Sequence, residues 1–557
     1  MKESRPYPKQ NMQKTTLSAL MVLFLGLPVF SDSQGTGDEK ARPNIIYILT
    51  DDLGYGDVDS QGFDKKIKTP NIDRLATEGM SLAESHSSSA VCTPSRYSIL
   101  TGRYNWRTTL KSDVLYGFSL PLIEPGRMSV ADLLRAQGYK TACVGKWHLG
   151  LDWARLSSGP KDKIVESSPD DADDGGPAKK TAGRGPGPEG IDFTKPVGGG
   201  PTSIGFDSYF GIAASLDMPP YTYIENDRVA ALPTIAKGYL AGTDGKKTRV
   251  GPQAPGFQAV DVLPTLTKRV VDIIDQSAAD AKNGKPFFLY FAVPTPHTPI
   301  APTPEWQGKS GLNYYADYVM ETDAYVGQVL DALDRDGLTK NTIVIFTSDN
   351  GCSPEADFPF LKAHGHDPSD GRRGYKADIY DGGHRIPLIV RWPGKVAAGS
   401  KTDAFICLGD FMATCADLLH VKLPDNAAED SISFLPLLLG HDSQTARQDL
   451  VESSIDGSFG IREGKWKLAL CPGSGGWSYP RPGKDSTAGM PAFQLFDLAA
   501  DPAETTNVIK DHPDIVQRLG HMMRDYIVNG RSTPGAPQPN TPIKHPWKQI
   551  AWMEQFK

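Results

Sequence analysis

Four strand-length, mostly apolar runs in this chain each stop at a polar tip, and this recurrence constrains the fold more than any other feature. Asn44-Ile45-Ile46-Tyr47-Ile48-Leu49 leads to Thr50-Asp51-Asp52, and Asn341–Ser348 leads to Asp349-Asn350-Gly351. Gly138–Gly145 leads to Lys146-Trp147-His148, and Pro286–Val293 leads to Pro294-Thr295-Pro296-His297. Apolar runs without alternation are the mark of strands covered on both faces, which is the environment of a parallel sheet flanked by helices. In such sheets ligands gather outside the carboxyl ends of the strands, so the four tips are expected to converge. Adjacent carboxylates repel and need water or a cation to receive them. A solvated turn would explain one Asp pair, but not four polar tips in one chain. Asp51, Asp52, Asp349 and Asn350 together form a hard-oxygen donor set suited to Ca²⁺, with Mg²⁺ as the alternative.

The remaining pattern is consistent with a large α/β domain. Apolar residues at helical spacing over Val260–Ala281 and Tyr314–Leu333 predict two helices against the sheet, with Pro264 confined to a first turn. Residues 155–201 are rich in Gly, Pro, Lys, Asp and Ser and read as a surface insertion. From about Asp449 short alternating segments (457–462, 465–471, 493–498) and a helix near Pro513–Val528 predict a small antiparallel sheet with a closing helix. The expected fold class is thus α/β, with a large mostly parallel central sheet flanked by helices. The expected divisions are a targeting segment at 1–35, a main domain at 42–448 and a C-terminal α+β subdomain at 449–557. A chain of 557 residues has length enough for both.

The targeting segment has a basic start, an apolar run of about 14 residues at Leu17–Phe30, short of the roughly 20 that span a bilayer, and then small polar residues. Export to the periplasm or medium is expected, without a stable membrane anchor. A net charge of −7 and the absence of Lys/Arg blocks exclude a nucleic-acid surface. The six cysteines show no metal-knuckle spacing and are too sparse for a disulfide framework. One of them opens Cys92-Thr93-Pro94-Ser95-Arg96, which runs on to Thr101-Gly102-Arg103. Pro94 suits a helix's first turn and Gly102 a left-handed cap, which would put Cys92 at a helix N-terminus, where the dipole favours an anion or thiolate. A small buried cysteine opening an ordinary helix is the plainer alternative. Gly374-Tyr375-Lys376 and Asp381-Gly382-Gly383-His384-Arg385 place basic groups beside glycines, as an oxyanion pocket or a plain turn would.

Cys92-Thr93-Pro94-Ser95-Arg96 with Thr101-Gly102-Arg103, followed by Gly138-Tyr139-Lys140-Thr141 and Gly145-Lys146-Trp147-His148, resembles the two signature stretches of the formylglycine-dependent sulfatases, of the alkaline-phosphatase-like α/β superfold. The resemblance extends to the Asp51-Asp52 and Asp349-Asn350-Gly351 tips and to Asp497-Leu498…Asp501-Pro502-Ala503-Glu504. It implies that 42–448 is the catalytic domain and that a formylglycine-generating enzyme oxidises Cys92 to Cα-formylglycine. It further implies that Asp51, Asp52, Asp349, Asn350 and the modified Cys92 hold one Ca²⁺, and that Asp349 also accepts the attacking hydroxyl's proton. By the same resemblance Arg96 holds the hydrated aldehyde, Lys146 and Lys376 clamp sulfate, His148 is the base of the second step, and His297 or Lys376 protonates the leaving alcohol. His384 and Arg385 match a Gly-Gly-x-Arg stretch of the family, with Asp381 where Glu is common. The implied substrates are sulfated carbohydrates, with aryl sulfates as surrogates. Asp217, His384, Arg385, Trp306 and the Gly476–Tyr479 loop are candidate substrate contacts. The alternatives are a phosphonate or phosphodiester hydrolase of the same superfold and a non-catalytic module binding sulfated glycans.

Overall fold

Asn44–Asp51 (β1) is buried along its whole length because its two sets of alternating side chains feed two different cores. Ile45, Tyr47 and Leu49 face one side with Tyr97, Ile99 and Phe411, while Ile46 and Ile48 face the other with Leu266, Val270, Val329 and Leu330. The computed structural model in which this is seen describes residues 42–156, 189–441, 447–543 and 546–557. The proposed targeting segment 1–35 and most of the 155–201 insertion lie outside the described residues.

Four further strands run parallel to β1. Lys140–Lys146 (β2), Ser208–Ile212 (β3), Phe287–Pro296 (β4) and Thr342–Ser348 (β5) give the central order β5-β1-β4-β2-β3. Between Cys92–Thr101 (α1) on one side and Val262–Lys282 (α2) and Tyr314–Arg335 (α3) on the other, both faces are covered. Both long helices follow the sequence expectation to within two residues. The whole sheet has ten strands. Leu388–Arg391 (β6) turns antiparallel to β5, with Phe346 opposite Ile389, and Met80–Leu82 and Ser400–Thr402 extend that edge.

Asp449–Ser453 (β7), Phe459–Glu463 (β8), Trp466–Ala469 (β9) and Gln494–Asp497 (β10) form the small antiparallel sheet, paired in that order. Pro513–Asn529 (α4) lays Val516, Leu519, Met523 and Ile527 on it. The end of β7 also bonds the stretch just before Cys92. Ala90 N–H donates to Ser453 O at 2.9 Å and Ser453 N–H to Ser88 O at 3.1 Å. Ala377 N–H then donates to Ala90 O at 2.8 Å, so β7, the approach to α1 and the segment after Lys376 are stitched through main chain.

Two backbone features aim the strand tips. Gly102 closes α1 in the left-handed region (φ 64°), as its position at the helix end requires. Gly145 has φ 115°, and a Cβ there would lie 1.9 Å from the carbonyl oxygen of Ala292 on β4, so only glycine lets β2 approach β4 just before Lys146. Gly145→Ala is expected to destabilise the fold by about 2–4 kcal/mol, measured by urea unfolding.

The loop after β1 is anchored by His366, enclosed between Asp57 (2.8 Å) and Asp64 (2.9 Å). Burial opposes its charge, but the Asp57 and Asp64 hydrogen bonds raise its pKa to about 9. The folded value lies above the unfolded one, so the stabilisation is complete below pH 6.5 and lost as pH rises through about 9. His366→Asn should therefore cost about 3 kcal/mol at pH 6, and the deficit should shrink across this window in denaturation curves taken at several pH values.

Candidate active site

Three carboxylates of like sign meet at the carboxyl ends of β1 and β5, and each has a cation. Asp51, Asp52 and Asp349 are all fully or almost fully buried. Lys146, at the end of β2, reaches Asp51 Oδ2 at 2.6 Å. Lys376 reaches Asp52 Oδ2 at 2.7 Å. Arg96, one turn into α1, binds Asp349 Oδ2 through Nε (2.9 Å) and Nη2 (2.8 Å) and lies 3.7 Å from Asp51 Oδ1. The pairing holds the Asp51 carboxyl well below its usual range despite burial, with Lys146 the leading cause. Asp349 is raised instead, by burial and by the charge of Asp51, against the pull of Arg96. Burial works against the charge on Lys376, but Asp52 raises its pKa well above the ordinary value.

Asp52 and His148 both hold left-handed backbone, φ 63° and 59°. Such conformations cost of order 1–3 kcal/mol and persist where surroundings over-determine them. At Asp52 those surroundings are Asn350 Nδ2, which donates to Oδ1 at 2.7 Å, and the Lys376 bond. At His148 they are the main-chain bond to Ala213 O (3.0 Å) and the side-chain bond from Nε2 to Leu115 O (2.7 Å). A carbonyl only accepts, so Nε2 carries the hydrogen and Nδ1 presents a bare lone pair. That Nδ1 is buried without a partner. Burial, then Lys146 and Arg96, push the His148 pKa well below 6.5, so the ring is neutral at neutral pH.

Cys92 Sγ lies at the start of α1 and donates to Asp51 Oδ1 at 3.3 Å. The helix-dipole expectation of a thiolate is corrected here, because burial and then Asp349 and Asp51 raise the thiol well above its usual pKa. All six cysteines are buried and none is in a disulfide. His297 Nδ1 donates to Thr298 O at 2.6 Å, turning Nε2 towards Asp52 Oδ2 at 3.6 Å. Ligand atoms of Asp51, Asp52, Cys92 and His297 all fall within 4.8 Å of one another. The Asn350 amide oxygen is buried beside Asp52 without a hydrogen-bond partner. A carboxylate-rich set with an orphaned amide oxygen fits a hard divalent cation, and three cations already balance three carboxylates, so an added Ca²⁺ would leave a positive surplus suited to an anion.

The other expected residues lie outside the carboxylate cluster. Asp217 is paired with Arg249 on a loop after β3, and Trp477 is 6.0 Å from Lys376 Nζ. His384 and Arg385 are drawn into a separate buried network. His384 Nδ1 meets Ser87 O (3.2 Å) and Arg385 meets Glu84 (2.7 Å). Next to them His86 faces Glu452 (3.2 Å) and Asp381 (3.5 Å), and Lys467 joins Glu452 (2.9 Å) to Glu504 (3.1 Å). Neither His384 nor Arg385 shows a face to solvent. The Leu115 carbonyl and the Thr93 hydroxyl that donates to His148 O (2.9 Å) complete the surroundings of the site. No sequence pattern points to the Leu115 carbonyl, since a carbonyl is common to every residue, whereas Thr93 lies within the Cys92–Arg96 stretch.

A mixed sheet, parallel at its centre, with carboxylates and cations at its strand ends and a small antiparallel sheet beside it, fits the alkaline-phosphatase-like α/β fold that the resemblance implies. The Sulfatase family model matches residues 43–421, and the model for the C-terminal part of N-sulphoglucosamine sulphohydrolase matches 374–470. An N-acetylgalactosamine-6-O-sulfatase of Bacteroides thetaiotaomicron is 33% identical over 545 residues, covering 91% of this chain and 98% of the relative. Human arylsulfatase A is 30% identical, covering 86% of each. A solved structure described with the metabolism of multiple glycosaminoglycans by Bacteroides thetaiotaomicron superposes with a TM-score of 0.72 at 32% identity, over 87% of this chain and 99% of that one. The chain belongs to the sulfatase family and is a sulfuric ester hydrolase.

The charge balance predicts a structural penalty that needs no substrate to measure. Arg96→Ala leaves Asp349 and Asp51 without their shared cation, and is expected to cost about 3–5 kcal/mol in chemical denaturation. Arg96→Lys, which cannot bridge both carboxylates, should restore less than half of that.

Proposed function

We propose that this protein hydrolyses sulfate monoesters on sulfated carbohydrates, through formylglycine at position 92 and one Ca²⁺ at Asp51, Asp52, Asp349 and Asn350. The observation that carries the reading is the Cys92 side chain pressed against Asp51 inside the carboxylate cluster, with Lys146 and Lys376 bonded to that cluster. A thiol held neutral by its neighbours is a poor nucleophile, whereas a hydroxyl in the same place has a carboxylate to take its proton. The bacterial relative acting on N-acetylgalactosamine 6-O-sulfate supports a sugar substrate. The basic and apolar start of the chain supports export, and no helix among the described residues is long and apolar enough to cross a membrane. A formylglycine-generating enzyme is the partner required for maturation.

The roles that the resemblance implies are proposed here for the residues as they are placed. Lys146 and Lys376 exchange some of their carboxylate contact for sulfate oxygens and hold the ester in place. Arg96 keeps Asp349 and Asp51 fixed, and Asp349 is the carboxylate proposed to accept the proton of the attacking hydroxyl. His297, whose Nε2 faces the pocket, or Lys376 delivers a proton to the departing alcohol. His148 Nδ1, neutral and without a partner, takes the proton of the remaining hydroxyl. When bound, Ca²⁺ supplies Lewis-acid polarisation of the sulfate oxygens. Formylglycine supplies, once hydrated, two hydroxyls on one carbon, one to attack sulfur and one to drive sulfate out. His384 and Arg385 are left out of these contacts and assigned to holding the segment before Cys92.

Peptide mass spectrometry across residue 92 in turning-over protein tests the reading. An aldehyde or its hydrate is expected, and an intact Cys92 in active protein would falsify it. Faster turnover of a phosphodiester than of the matched sulfate monoester would move the assignment to phosphoryl chemistry. His148→Ala should lower kcat by about 10²–10⁴-fold and lower KM with it, leaving kcat/KM much less affected, because His148 acts after sulfur has been attacked. Because its pKa is depressed, the acid limb of kcat in the parent enzyme should lie below pH 6.5.

A further inference from the structure

The loop that follows β3 carries polar atoms which neither the fold nor the chemistry above accounts for. It runs beside the catalytic base, since His148 N–H donates to Ala213 O. Four residues past Ala213, Asp217 spends one carboxylate oxygen, Oδ2, on Arg249 Nη1. Its other oxygen, Oδ1, is shielded and has no hydrogen-bond partner, and the hydroxyl of Ser215 is in the same condition. The carboxylate is held firmly. Arg249 N–H donates to Asp217 O at 3.3 Å, and Tyr221 Oη bridges Asp217 O (3.2 Å) and Thr248 Oγ1 (2.9 Å). The Arg249 guanidinium lies 5.5 Å from the ring of Tyr116, the neighbour of the Leu115 whose carbonyl holds His148. After Arg249, the charges of His297, Lys376 and Lys146 also act on Asp217, which agrees with a place at the edge of the pocket.

We propose that Asp217, fixed by Arg249, is a specificity-determining residue that reads a ring hydroxyl of the sugar carrying the sulfate, with Oδ1 accepting the hydrogen bond. A fixed carboxylate oxygen with no donor of its own is desolvated at a cost unless the ligand brings one, and a pyranose brings several. The same anion repels a second sulfate or a carboxylate at that position, so the favoured substrate is a sugar with a free, uncharged hydroxyl next to the reacting group. An aryl sulfate has no such donor and gains nothing from Asp217. The proposal rests on the sulfated-carbohydrate reading and refines it.

The test compares the parent enzyme, Asp217→Ala and Asp217→Asn on a panel of hexose and N-acetylhexosamine sulfates and on 4-nitrophenyl sulfate. Asp217→Ala should lower kcat/KM on the best sugar sulfate by about 10–100-fold and change the aryl sulfate by less than about threefold. Asp217→Asn, which keeps an acceptor oxygen without the charge, should fall between. Disulfated sugars should be poor substrates for the parent enzyme and improve relative to monosulfated ones in Asp217→Asn. An equal loss on sugar and aryl sulfates, or no loss on sugars, overturns the proposal. If the parent enzyme cleaves the aryl sulfate and no sugar sulfate, the proposal fails while sulfate ester hydrolysis stands. If it cleaves neither, the reading of function fails, and calorimetry with the sugar sulfates decides this proposal: binding lost in Asp217→Ala upholds it, and binding that is absent or indifferent to Asp217 ends it.

Discussion

The structure is organised around the cost of keeping Asp51, Asp52 and Asp349 together out of water. Two like charges about 4 Å apart repel by roughly 4 kcal/mol at the dielectric typical of protein sites, and burial adds to that. The fold answers with Arg96 from a helix, Lys146 from a strand end and Lys376 from a loop, each bonded to its own carboxylate. These groups come from distant parts of the chain, so the site exists only once the sheet, α1 and the segment around Lys376 are all in place. The left-handed backbone at Asp52 and His148 belongs to the same account, as local strain tolerated because neighbouring bonds hold it.

The central strands were legible because burial on both faces leaves an uninterrupted apolar run, and the two long helices because one apolar stripe repeats over many turns. The edge strands Met80–Leu82 and Ser400–Thr402 were not, since three residues hold no period. Asp51, Asp52, Asp349, Asn350, Lys146, His148 and His297 could be gathered from the sequence because parallel strands deliver their ends to one side of the sheet. Their pairing could not. Which lysine meets which aspartate, and that a carbonyl at Leu115 decides the tautomer of His148, depend on loop paths that leave no pattern in residue types. The thiolate expected at Cys92 fails on magnitude: a helix N-terminus contributes about 0.3–1 kcal/mol, too little against burial beside two carboxylates.

The second buried network shows why the small sheet belongs to the story of the site. His86, Asp381, His384, Arg385, Glu452, Lys467 and Glu504 neutralise one another behind the segment Ser87–Ala90. Their main-chain companions are the bonds from Ser453 to Ser88 and Ala90. Sequence order sets β7 to β10 apart from the main sheet, but these contacts make β7 part of the wall that holds α1 at its starting point.

The enclosure of Cys92 has a consequence in time rather than in space. With 2% of its surface exposed, and the following residues wound into α1, the segment Cys92–Arg96 offers nothing that a second protein could grip or thread. An enzyme that is to change this side chain must reach it, and in the folded chain the helix and its surroundings bar the way. A molecule that folds first keeps its thiol for as long as it stays folded. If position 92 is matured as proposed, each copy's fate is decided by a race between its own folding and that maturation, and a preparation in which the race was close would hold two populations alike in shape and different at one side chain.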